Sequence, residues 1–61
     1  MIRFKYGTHT SPWYPSAAVA GPFAEMMSGH KMEYAYAPDG LTITDVRDTT
    51  NKGEPVVFEW K

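Results

Sequence analysis

The sequence contains no cysteine, so neither a disulfide bond nor a thiolate-bound metal can stabilise its fold. It also lacks an excess of either charge, because six Lys and Arg residues against seven Asp and Glu residues give a formal charge of −1. A protein that binds nucleic-acid phosphates normally carries a basic excess, and a DNA mimic needs an acidic one. The composition therefore argues against both classes.

Long apolar runs are missing as well. No stretch approaches the roughly 18 to 20 apolar residues of a membrane span. Met1 is not followed by the basic and apolar regions of a secretory signal. We therefore expect a soluble protein of the cytoplasm with no membrane partner.

Aromatic side chains are abundant: the 61 residues include two Trp, four Tyr and three Phe. A domain this short buries only about 60% of the surface that its unfolded chain exposes, whereas each large aromatic can bury about 150 to 250 Å². A core of this size is expected to give only marginal stability, so self-association would add to it. We expect one domain over residues 1–61, as a monomer or a homodimer.

Alternation of apolar and polar residues predicts strands. Between the first two of them, the Thr8–Pro15 segment contains two prolines and three hydroxyl residues, which predicts an irregular loop that carries Trp13 and Tyr14. The predicted strands cover residues 2–6, 31–37, 41–47 and 55–60.

A helix is predicted over residues 22–28, with Pro22 just inside its start and Gly29 just past its end. Residues 16–20 form either an earlier helical turn or a short strand, since Gly21-Pro22 would interrupt a longer helix. The alternative is a strand at 16–21 followed by a helix from 23 to 36. The elements predict an α+β fold, with a mostly antiparallel sheet of three to four strands and one short helix on one face.

The predicted hairpin turns at residues 38–40. A three-residue loop would set Glu33 opposite Asp45 and pair like charges, so we predict the register of a two- or four-residue loop. That register also places Tyr34 and Tyr36 on the same face as Leu41 and Ile43, as a single buried face requires.

The segment from Met26 to Val46 resembles a pattern of small phage-encoded proteins. Its parts are a helix end, Gly29, two residues, Met32-Glu33-Tyr34, an Asp-Gly turn and a second strand; the closing strand 58–61 is similar too. Residues 36–47 are also similar to a stretch of the podovirus inhibitors of host RNA polymerase, a similarity that favours the longer helix. Both resemblances imply a phage accessory protein of the host-takeover type, with a host protein or complex as its partner.

Catalytic constellations are sparse. The serines lack a nucleophile elbow or triad-like setting, and the glycines fall singly, so no phosphate-cradling loop is present. A metal site would require His9 and His30 to meet a carboxylate such as Asp45 or Asp48. Asp45 and Asp48 flank Arg47, an arrangement more typical of a solvated surface than of an acid–base pair. We expect no enzyme activity, no cofactor and no metal.

A binding anchor is the more informative prediction. Trp13 and Tyr14 lie between two prolines, and rigid aromatics that lose little entropy on binding are typical anchors of protein interfaces. The alternative is that the loop folds over the open sheet face, with Trp13 as a lid on the core and Tyr14 as the exposed partner. With the segment 45–52 as a polar rim, the predicted partner-binding residues are Trp13, Tyr14, His9, Asp45, Arg47 and Asp48.

Two further surfaces are predicted. Phe23, Met26, Met27 and Met32 fit either an adaptable contact surface or, as we expect for a short helix on a sheet, gap-filling core. The outward sheet face should be mixed in sign and solvated, carrying Arg3, Lys5, Lys31, Glu33, Thr42, Thr44, Glu59 and Lys61.

The expected function is stoichiometric inhibition of a bacterial host enzyme or defence complex. The alternative is an assembly subunit, in a virion or a homo-oligomer, that uses an exposed edge strand at residues 56–60. A third possibility, binding of single-stranded nucleic acid through Tyr34 and Tyr36, lacks the basic groove that such platforms have.

Overall fold

The computed structural model describes all 61 residues. The elements in chain order are β1 (Ile2–Tyr6), β2 (His9–Thr10), α1 (Ala17–Ser28), β3 (Met32–Tyr36), β4 (Ile43–Asp48) and β5 (Val57–Trp60). The strands form two antiparallel sheets: the first sheet has the order β2-β1-β5, and the second sheet the order β3-β4. The α+β class is confirmed, but the strands divide between two small sheets instead of forming one.

The segment expected to be an irregular loop instead follows β1 closely. Gly7, at φ 60°, and Thr8 make a two-residue turn, after which Tyr6 pairs with His9. Further along, Tyr14 exchanges two backbone hydrogen bonds with Ile2, at 2.9 and 2.7 Å. Between these two points the hydroxyl of Ser11 accepts the backbone N–H of Phe4 at 2.9 Å. A side-chain acceptor thus bridges the stretch where proline interrupts regular pairing.

The helix is longer than predicted at its N-terminal end. It starts at Ala17 and includes Pro22, so the earlier helical turn, one of the two alternatives for residues 16–20, is confirmed. The predicted start at residue 22 and the alternative strand at 16–21 were wrong. Pro22 lacks the N–H that would bond the carbonyl of Ala18, but Ala18 is exposed and water can satisfy that carbonyl. An interior proline is therefore tolerated on the solvent side of this helix.

The helix ends at Ser28, just before Gly29, as predicted. Gly29 adopts φ 73°, and its N–H donates to the carbonyl of Glu25 at 2.8 Å. The chain then enters β3 at Met32, so the alternative of a helix running to residue 36 is wrong.

Small residues form the buried face of α1. Ala17, Ala20, Gly21 and Ala24 recur at the spacing of one helix face, and all four are buried. The helix packs against β1, β3 and β4. A Cβ built on Gly21 would lie only 2.5 Å from Cε1 of Tyr34, so only glycine leaves room for the ring of Tyr34 in this position.

The β3–β4 hairpin avoids pairing like charges, as predicted. Glu33 faces Arg47, and Asp45 faces Ala35. The predicted register of a four-residue loop holds next to the turn, where Tyr36 faces Ile43 and the N–H of Ala37 donates to the carbonyl of Thr42 at 2.8 Å, but a register shift between Ala35 and Tyr36 changes the pairing beyond it. Within the loop the carboxylate of Asp39 accepts the backbone N–H groups of residues 41 and 42. Leu41 consequently lies in the loop and is 84% exposed, so its predicted place on the buried face was wrong.

The core lies between the helix and the two sheets. Phe4 and Ile2 are the largest fully buried side chains, and Met32 is buried as expected. The structure contains no helix with the length and apolarity that crossing a membrane requires. The buried apolar residues are Ile2, Phe4, Ala17, Ala20, Ala24, Met32, Val46 and Val56.

Candidate functional site

Tyr14 belongs to the core side of the first sheet. Its ring stacks on Phe23, with centroids 5.2 Å apart and planes 10° from parallel, and lies 6.3 Å from the ring of Phe4. Its backbone is fixed by pairing with Ile2. Tyr14 therefore performs the covering role that the lid interpretation assigned to Trp13.

Trp13 is on the opposite, outward side of that sheet. The guanidinium carbon of Arg3 lies 4.4 Å from the centre of its ring, and Nζ of Lys61 lies 5.3 Å from it. Adjacent residues of an extended segment point to opposite faces, which is why Trp13 and Tyr14 separate. The lid interpretation of Trp13 is thus wrong, and the two residues predicted to form one anchor do not share a surface.

The exposed side of α1 is apolar. Met26 is 78% exposed, Met27 51% and Phe23 46%, so their predicted place in the core was wrong. The reason is steric. Only Ala and Gly of α1 are buried against the sheets, so the helix lies too close to the sheets for a larger side chain to fit between them. The large side chains must then occupy the solvent side.

These side chains line one part of a groove. Phe4, His9 and Tyr14 complete its lining from the side of the first sheet, where Phe4 is buried and Tyr14 stacks on Phe23. The groove has a volume of about 320 Å³. We call it the helix-side groove, and it is lined by Phe4, His9, Tyr14, Phe23, Met26 and Met27.

Helix α1, which lines the groove, carries almost no charge. Its one charged residue, Glu25, accepts the hydroxyl of Tyr34 at 2.7 Å. Burial, together with the hydrogen bond and the charge of Glu25, raises the pKa of Tyr34 to about 12, so the phenol keeps its proton at neutral pH. The carboxylate of Glu25 therefore forms part of the contact between α1 and β3.

Asp48 is a structural clamp. Its side chain is 2% exposed. It accepts Nδ1 of His30, the N–H of Val56 and the N–H of Thr50, each at 2.8 Å. These partners lie after α1, just before β5 and in the loop after β4, so one carboxylate ties the two sheets together.

The electrostatics of Asp48 follow from these contacts. Burial by itself would raise its pKa, but the hydrogen bonds from Val56, His30 and Thr50 outweigh that effect and lower the pKa to about 2. Because this carboxylate is enclosed and fully bonded, it is not part of an exposed polar rim. That part of the predicted rim was wrong.

Asp45 and Arg47 remain at the surface. Arg47 binds Glu33 across the hairpin, with Nη2 2.5 Å and Nε 3.0 Å from Oε1. Asp45 accepts the N–H of Val46 at 2.9 Å and Nε1 of Trp60 at 3.3 Å. The predicted rim residues thus make separate contacts within the chain and do not converge on Trp13 or Tyr14.

The histidines also lie in different settings. His9 is exposed on β2 beside Phe4, with ring centroids 6.1 Å apart. His30 is enclosed, bonded to Asp48 and in edge contact with Tyr6 at 5.3 Å. No group of three or more metal-ligating side chains is present in the structure.

The groove was not predicted from the sequence, because Phe23, Met26 and Met27 were expected in the core. The signal that identifies them as outward-facing is the run of small residues at helical spacing, Ala17 to Ala24, which marks the other face as the buried one. That signal depends on accepting Pro22 inside the helix.

Comparison of the chain with protein-family models, with curated proteins and with solved structures found no match. The arrangement of its own side chains is therefore the basis for assigning a function.

Proposed function

We propose that this protein is a protein-binding module whose contact surface is the helix-side groove. The observation that carries the proposal is the orientation of α1, which buries only Ala and Gly and presents Phe23, Met26 and Met27 to solvent. Large apolar side chains grouped around a concavity, in a chain short of core, are typical of an interaction site.

The composition of the groove fits a protein partner. Aromatic residues and methionine are enriched in protein interfaces, and methionine adapts its flexible side chain to the shape that it meets. A groove of about 320 Å³ accommodates one bulky apolar side chain of a partner as an anchor. His9 and Tyr14 are the two lining residues whose side chains carry polar groups.

The finer form of the proposal concerns the partner. The resemblance to phage accessory proteins supports a host protein or complex in the bacterial cytoplasm as the target. Occupation of a surface of that target would make the protein a stoichiometric inhibitor. Trp13, the other predicted anchor, is no part of this groove and belongs to a different surface.

The test introduces a charge into the groove. Met26→Lys places a cation at a position that is 78% exposed, and Leu41→Lys places the same cation at one that is 84% exposed in the hairpin loop. Both variants should fold, since exposed substitutions change stability by about 0.5 kcal/mol or less.

Partner capture from bacterial lysate with quantitative mass spectrometry is the readout. We expect a stoichiometric partner to be retained by the unmodified protein and by Leu41→Lys, and to be lost with Met26→Lys. Circular dichroism of all three proteins excludes unfolding as the cause. Equal retention by both variants would remove the groove as the contact surface.

Assembly through an edge strand is the second candidate. β5 lies at an edge of the first sheet, and Val57 and Trp60 on it are exposed. An unpaired edge can accept a strand from another copy. Sedimentation velocity over a range of concentrations tests this candidate: growth into large species supports assembly, and a constant small species supports the binding module.

A further inference from the structure

The outward face of the first sheet is basic. Arg3 and Lys5 on β1 alternate with the buried residues Ile2 and Phe4, and Glu59 pairs with Arg3 across the sheet. Lys61 follows β5 and lies over Trp13. Lys31 and Glu33, expected on the same face, are beside or within the second sheet instead.

Division into two sheets therefore separates charged residues that were expected on one sheet face. Three of the six basic residues gather on this face around the carboxylate of Glu59, and these four side chains sum to a charge of +2 in a chain whose total is −1. The carboxylate of Glu54 lies beside Gly7, just after the end of β1. The basic face, as we call it, consists of Arg3, Lys5, Trp13, Glu59 and Lys61. It lies across the sheet from Tyr14 and the helix-side groove.

Arg3 is held in a defined position on this face. Its Nε donates to Oε1 of Glu59, and its guanidinium lies over the ring of Trp13. The two terminal nitrogens have no hydrogen-bond partner in the chain. A guanidinium fixed in this way presents its remaining N–H groups to a carboxylate with little further loss of entropy.

Lys5 and Lys61 add positive charge on either side of Arg3. Nζ of Lys5 is 3.7 Å from Oε1 of Glu59, so this one carboxylate is shared by two cations. The shared pairing leaves the face short of negative charge. A ligand with several carboxylates would make up that deficit.

We propose that the basic face docks an acidic segment of a partner protein. Charge complementarity selects a ligand with several carboxylates, and the fixed guanidinium of Arg3 supplies the central recognition group. The proposal goes beyond the helix-side groove, because the two surfaces lie on opposite sides of the first sheet and can be occupied at the same time.

An acidic peptide fits this face better than a nucleic acid does. Platforms for single strands rely on free aromatic rings on which bases stack. Trp13 is the one aromatic of the basic face, and two cations already lie over its ring. A base would have to displace them, whereas a carboxylate would bind to them.

The test uses Trp13 as the reporter. In a Trp60→Phe background Trp13 is the only tryptophan, and its fluorescence follows changes at Arg3 and Lys61. The probes are octaglutamate and a ten-nucleotide oligothymidylate, each titrated at low ionic strength. We expect a saturable fluorescence change with octaglutamate that weakens when salt is added.

Matched charge variants decide whether the face is responsible. Lys5→Gln with Lys61→Gln removes two charges from the basic face, and Lys31→Gln with Lys52→Gln removes two exposed charges elsewhere. We expect the first pair to weaken octaglutamate binding about fivefold and the second to leave it within about twofold.

Several outcomes would overturn the proposal. Equal weakening by both pairs would mean that only net charge matters. No response to octaglutamate, in a protein whose circular dichroism is unchanged, would remove the acidic partner. Tighter binding of the oligothymidylate than of octaglutamate would make the face a nucleic-acid surface instead.

Discussion

Gly21 offers the sharpest test of how α1 meets the second sheet. In Gly21→Ala the new methyl group would lie 2.5, 2.6 and 2.9 Å from Cε1, the hydroxyl and Cζ of Tyr34. The ring must move, and it would lose the 2.7 Å hydrogen bond from its hydroxyl to Glu25. Helix propensity and packing therefore act in opposite directions at this residue.

The sizes of these two opposing effects determine whether Gly21→Ala stabilises or destabilises the fold. Alanine in place of glycine in a helix interior gains about 1 kcal/mol. Overpacking costs about 1 to 3 kcal/mol, and the lost hydrogen bond costs about 1 kcal/mol more. We expect a net destabilisation of about 2 kcal/mol, which lowers Tm by roughly 10 °C in a domain of this size.

The assay is thermal and urea unfolding followed by circular dichroism, with the same substitution made in a Tyr34→Leu background. Leucine has no atoms where Cε1, Cζ and the hydroxyl lie, so the clash disappears and only the propensity gain remains. Gly21→Ala should then stabilise by about 1 kcal/mol. A stabilising effect in both backgrounds would refute the close approach of α1 to Tyr34.

Three other outcomes are expected. Asp48 has a folded-state pKa of about 2, below its ordinary value, so it stabilises the fold above about pH 4. That contribution, roughly 2 kcal/mol, is lost as the pH falls toward 2. Asp48→Asn should flatten the loss of stability across this window in urea titrations, and an unchanged slope would contradict the clamp. Tyr14→Ala should lower the free energy of unfolding by about 3 kcal/mol, because the Tyr14 ring packs on Phe4 and Phe23. Trp13→Ala should lower it by about 1 kcal/mol. The reverse order in thermal melts would mean that Trp13, and not Tyr14, covers the core. Pro22→Ala restores a donor for the carbonyl of Ala18 and should raise the free energy of unfolding by about 1 to 3 kcal/mol, so a fall on urea unfolding would show that the proline ring is needed where it is.

Local patterns were most informative where one short segment carries the whole signal. The alternation in residues 2–6 specifies β1, and Gly29 ends the helix because only glycine readily adopts its positive φ. The charges of Glu33 and Asp45 excluded one hairpin register, because like charges directly opposite each other are unfavourable. None of these inferences depends on a distant part of the chain.

The candidate site could not be read from the sequence in the same way. The apolar character of Phe23, Met26 and Met27 predicts that they belong to the core. The structure shows instead that the small residues of α1 pack against the sheets. The opposite orientations of Trp13 and Tyr14 depend on the pairing of Tyr14 with Ile2, across a stretch that contains proline. Both outcomes require knowing which element lies beside which.

The sequence by itself determined the α+β class, the hairpin and the end of the helix, because turns and alternation are properties of neighbouring residues. Only the tertiary structure decided that the strands form two sheets, that Asp48 joins them and that the apolar face of α1 points outward. Those features arise from contacts between residues far apart in the chain, where steric fit and the enclosure of a charge select one arrangement.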